Sequence, residues 1–172
     1  MVAIDHAAPD ATEARASAAA SHVRALSGAA REALADGIRR SATVAHLVAA
    51  LDQSNVIVFV DTRVDPTIPT AETMLMVVTE RVRYVHVILN PRMTGDERIE
   101  LLGHELQHAV EIAADAGVVD AASVRKRFAA IGHELAISSR REKAFETDGA
   151  RRVSVLVRRE LASSARRGSE PH

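Results

Sequence analysis

Apolar residues along the chain recur with two different spacings, and the switches between them predict its elements. At Val23, Leu26, Ala30 and Leu34 they return every three or four positions, the period of one helix face, which predicts an amphipathic helix over 12–35. Gly28 is its weak point and Gly37 its stop. Ser41 then caps a second helix over 42–51, whose inner face is Val44, Leu47, Val48 and Leu51. After a polar turn at 52–55 the pattern changes. Residues 56–60 are β-branched or aromatic without polar interruption, which predicts a strand buried on both faces. A loop over 61–72, with Pro66 and Pro69, leads to strands over 74–78 and 82–89 joined by a hairpin at 79–81.

Helical spacing returns at Ile99, Leu102, Leu106, Ala109 and Ala113, predicting a long helix from about residue 96 to Ala116-Gly117. Asp120 is a cap for a third stretch ending at Gly132. A polar loop at 133–143 precedes a final helix over 144–161. The expected fold class is α+β, a small, mainly antiparallel three-stranded sheet packed on helices. Residues 1–40 read as a helical arm, 41–165 as the main domain and 166–172 as a disordered tail.

Composition narrows the possibilities. With 172 residues, 47% hydrophobic but 2% aromatic, the core must be built from Leu, Val, Ile and Ala. The net charge of -1 and the lack of aromatic stacking platforms argue against a nucleic-acid partner. No apolar run reaches the length of a membrane span. Charged residues from Asp5 to Glu32 interrupt the N-terminal region, so the chain as written reads as cytoplasmic, with export from a trimmed precursor left open.

The candidate chemistry lies in Gly103-His104-Glu105-Leu106-Gln107-His108. Two histidines four apart share a helix face and stand about 6 Å apart along the axis, close enough to bind one zinc ion. Glu105 is placed to take a proton from a water between them and a substrate. Zinc needs a third protein ligand. Cysteine is absent, and Ala114 occupies the position where a third histidine would complete a His-rich variant of the motif. That leaves Glu146, with Glu142 and His133 as alternatives. Glu111 shares the histidine face and can fix a ring tautomer from behind. Tyr84, His86 and His133 are the side chains able to steady a developing oxyanion. A second run, Gly132-His133-Glu134-Leu135, copies the motif's start but has Ile137 where its second histidine would stand.

The run His104-Glu105-Leu106-Gln107-His108-Ala109-Val110, followed by a glutamate on a later helix, resembles the gluzincin branch of zinc metalloproteases, the thermolysin type in particular. It also resembles uncharacterised bacterial proteins that carry the motif. The resemblance implies a zincin-like fold, His104, His108 and Glu146 as zinc ligands, and Glu105 as general base. It further implies peptide or protein substrates, held along the strand at 82–89 as a sheet edge. The expected activity is therefore zinc-dependent peptide hydrolysis; the alternative is a zinc-binding or interaction module that keeps the fold without turnover.

Overall fold

A computed structural model describes residues 21–65, 70–135 and 144–168. The protein is α+β. Its elements run β1 (Val23–Ala25), α1 (Gly28–Arg40), α2 (Ala42–Asp52), β2 (Val56–Thr62), β3 (Ala71–Val78), β4 (Arg83–Leu89), α3 (Gly95–Ala113), α4 (Ala121–Ile131), β5 (Gly132–Leu135), β6 (Ala144–Thr147) and α5 (Asp148–Gly168).

The main sheet has four strands in the order β1-β2-β4-β3. β1 and β2 run parallel, as do β2 and β4, while β3 lies antiparallel to β4. This corrects the expected three-stranded, mainly antiparallel sheet. Part of the reason lies in β1, which sequence periodicity assigned to a helix. Ser27 accepts from the Ala30 backbone N–H at 3.3 Å and starts α1 there. Val23 upstream of that cap is free to extend, and Leu26 N–H donates to the Val60 carbonyl at 2.8 Å. The described part of the expected N-terminal arm thus belongs to the common core, with Val23, Ala30 and Ala33 buried in it; residues 1–20 lie outside the described residues.

The rest of the correction lies in the return of the hairpin. β3 goes to the outside and β4 inserts between it and β2. Continuously apolar strands belong inside a sheet, and Val56, Val58, Val60, Val85, Val87 and Leu89 are all fully buried. β3 carries Glu72 and Thr73 and exposes Met76 and Val77 at a register shift between Leu75 and Val77. β4 is therefore interior, and the edge that the resemblance assigned to residues 82–89 is formed by β3.

α3 lies on the valine face of the sheet through Leu102, Leu106, Ala109 and Ile112, all fully buried. Its C-terminal carbonyls are held by Arg83, itself buried, whose guanidinium donates to the carbonyls of Ile112 (2.7 Å), Ala113 (3.0 Å) and Asp115 (2.7 Å) and to Asn55 Oδ1 (2.7 Å). α5 packs on α3 through Val153, Val157 and Leu161. Gly103 permits that approach: a Cβ there would stand 2.9 Å from Val157 Cγ2. α5 continues through Gly168, so the expected tail forms helix over 166–168, and 169–172 lie outside the described residues. Residues 132–135 and 144–147 form a second, two-stranded sheet where a loop and a helix start were expected.

Candidate metal centre

The α-helical period places His104 and His108 one turn apart on α3, facing α5 and the β5–β6 hairpin. Each ring is held from behind. His108 Nδ1 stands 3.0 Å from Glu111 Oε2. A carboxylate only accepts, so this nitrogen carries hydrogen and Nε2 is left for the front of the site. His104 Nδ1 is 3.0 Å from Ser154 Oγ on α5. The two Nε2 atoms point at each other across 3.2 Å.

Glu146 completes the group. It sits on β6, opposite His133 on β5, and its Oε1 is buried without a hydrogen-bond partner among the described residues, 3.7 Å from His104 Nε2. The three donor atoms lie within 4.8 Å of one another. Ligands roughly 2.0–2.2 Å from a tetrahedral zinc ion stand about 3.3 Å apart, so the spacing found here suits such an ion. A buried carboxylate oxygen without a hydrogen bond is costly, and the two Nε2 atoms are free to share either a hydrogen or a metal ion. His104, His108 and Glu146 together could hold a metal ion.

Glu111 is the hub behind the histidines. Besides His108, it accepts from Thr147 Oγ1 at 2.8 Å and from Gln107 Nε2 at 3.2 Å. Thr147 in turn accepts from the Ala150 N–H at 3.1 Å, at the start of α5. Gly149 leaves the room that Glu111 fills, since a Cβ on Gly149 would collide with Glu111 Oε1.

Electrostatics follows from burial and these contacts. Burial, with repulsion from His108, pushes His104 down to about 4. Burial opposes protonation of His108 as well, but the Glu111 hydrogen bond and the charges of Glu105, Glu111 and Glu146 outweigh it and raise its pKa. Glu105 is pushed up by burial, against the pull of His108 and of a hydrogen bond from Thr73. Glu146 is raised by burial, opposed by His108, Arg151 and His133. Despite burial, Glu111 is lowered, chiefly by its hydrogen bond to His108.

The other residues singled out in the sequence fall elsewhere. His133 faces the same side of its hairpin as Glu146 and is exposed. Tyr84 stacks on Phe59 with centroids 6.3 Å apart, and His86 alternates with it on the sheet face turned away from Val85, Val87 and α3. Those two are corrected out of the site. Glu142 lies outside the described residues. The sequence reading missed Ser154, Thr147 and Thr73. Thr147-Asp148-Gly149 was visible as a helix-capping signal, whereas Ser154 and Thr73 meet α3 only through tertiary packing.

No family model, curated protein or solved structure matches this chain. Among the described residues no helix is long and apolar enough to cross a membrane.

Proposed function

We propose that the protein is a zinc-dependent hydrolase acting on peptide bonds, related in chemistry to the gluzincins. The observation that carries this reading is the convergence of His104 Nε2, His108 Nε2 and Glu146 Oε1, with buried Glu105 beside them on the same helix. His104, His108 and Glu146 would hold the ion, which when bound would polarise a scissile carbonyl and acidify a water.

The chain's own residues supply the rest. Glu105, with its pKa raised by burial, takes the proton of the attacking water at its carboxylate and passes it to the leaving amine. Glu111 and Ser154 keep both rings turned with Nε2 forward. Strand β3, last in the order of the main sheet, touches Glu105 through Thr73 and is where an extended peptide would lie. His133, on the Glu146 side of the hairpin, would donate to a developing oxyanion.

The test combines elemental analysis with a broad peptide library. The native protein should hold one zinc per chain and cleave members of the library. Glu105→Gln should keep the zinc and lose cleavage, and His104→Ala should lose the zinc. Zinc with no cleavage by the native protein would favour a binding module; full proteolysis by Glu105→Gln would overturn the role of Glu105.

A further inference from the structure

Glu105 is only 6% exposed, and its carboxylate has a neighbour the motif does not contain. Thr73 Oγ1, on the edge strand β3, lies 2.6 Å from Glu105 Oε2 and 3.1 Å from the Glu105 carbonyl oxygen. A threonine hydroxyl has one hydrogen. The shorter contact takes the hydrogen, so the hydroxyl donates to Oε2 and the carbonyl is a secondary contact.

Thr73 is itself tightly placed. It pairs with Val87 on β4, and as a β-branched residue it has few rotamers open to it. Its hydroxyl is thus fixed by the backbone of β3. The two oxygens of Glu105 are made inequivalent: Oε2 accepts from the Thr73 hydroxyl and Oε1 does not.

We propose that Thr73 is a positioning residue for Glu105, fixing which carboxylate oxygen works as the base and tying that orientation to the sheet edge along which substrate would lie. The inference rests on the hydrolase reading above. A base that swings between rotamers loses turnover while binding of the peptide is kept.

Thr73→Val removes the hydroxyl at nearly constant volume, Thr73→Ala removes it without a branched replacement, and Thr73→Ser restores it. Zinc-loaded proteins would be compared on the library peptide that the native protein cleaves best. Thr73→Val and Thr73→Ala should lose roughly tenfold to a hundredfold in kcat, with KM within about threefold. Thr73→Ser should recover most of that loss. Zinc affinity, read by chelator competition, should stay within about threefold in all three, since Thr73 touches no metal donor. The proposal is overturned if both hydroxyl-free variants keep native kcat, if Thr73→Ser is as slow as they are, or if the loss tracks zinc affinity. If Thr73→Val does not fold, Thr73→Ala against Thr73→Ser decides. A native protein that cleaves nothing defeats the hydrolase reading itself, a result distinct from cleavage indifferent to Thr73.

Discussion

The hydroxyl of Thr147 donates to Oε1 of Glu111 at 2.8 Å, linking the residue after the third donor to the helix that bears the first two. Thr147 is fully buried and also accepts from the Ala150 N–H. Thr147→Val keeps the shape and removes both bonds. We expect a loss of about 1–3 kcal/mol in stability, read by urea unfolding of zinc-free protein, and roughly tenfold to a hundredfold weaker zinc binding. Native zinc affinity in this variant would show that the hydrogen bond does not organise the donors.

Where α3 and α5 meet, the missing side chain is that of Gly103. An added Cβ would stand 2.9 Å from Val157 Cγ2 and 3.5 Å from both Val153 Cγ1 and Val44 Cγ2. Alanine has about 1 kcal/mol of helical advantage over glycine, but forcing the helices apart costs about 1–3 kcal/mol. Gly103→Ala should therefore be net destabilised and should move Ser154 away from His104. A higher melting temperature for the variant would contradict this.

Acid should act on the zinc-free protein through His104. Its pKa falls from 6.5 to about 4 on folding, through burial and the neighbouring His108. Between those values the unfolded chain binds a proton that the folded chain refuses, so this contribution to stability is lost as pH falls from 6.5 toward 4. His108 works the other way: its raised pKa adds stability below 6.5 that is lost as pH rises through the folded value. With chelator present, unfolding measured from pH 7 to 4 should show His104→Gln losing less stability than the native protein, by on the order of 2 kcal/mol. Parallel curves would remove His104 as the cause.

Arg83 holds the far end of the site helix. Truncation to Met would leave the carbonyls of Ile112, Ala113 and Asp115 without their guanidinium donor, at a cost of about 2–4 kcal/mol. Because this end of α3 is well past His108, zinc stoichiometry of the folded variant should be native. Loss of zinc at a temperature where the variant is folded would show that the cap also sets the histidines.

What could be read in advance followed the range of the interaction. His104, Glu105 and His108 are related by helical period alone, so their common placement was legible in eleven residues of sequence. Glu146 does lie beside them, but on a strand and not, as expected, at the start of the last helix: β6 runs through Thr147 and the helix begins only at Asp148. β1 escaped notice because three residues are too few for periodicity to register, and Ser27 was not read as a cap. The insertion of β4 between β2 and β3 is a choice of neighbours, which no local pattern encodes. The apolar content of β2 and β4 against the polar content of β3 did carry that information in retrospect.

The β5–β6 hairpin, with Gly132 so close to the Glu146 carbonyl that any Cβ would collide with it, has a consequence for synthesis on the ribosome. A nascent chain that has emerged only as far as α4 carries His104, Glu105 and His108 but not Glu146. On the metal-binding reading, a complete donor set would wait until residues 144–161 have left the exit tunnel and docked. Metal occupancy would then record that the last helix has closed on the one that carries the motif.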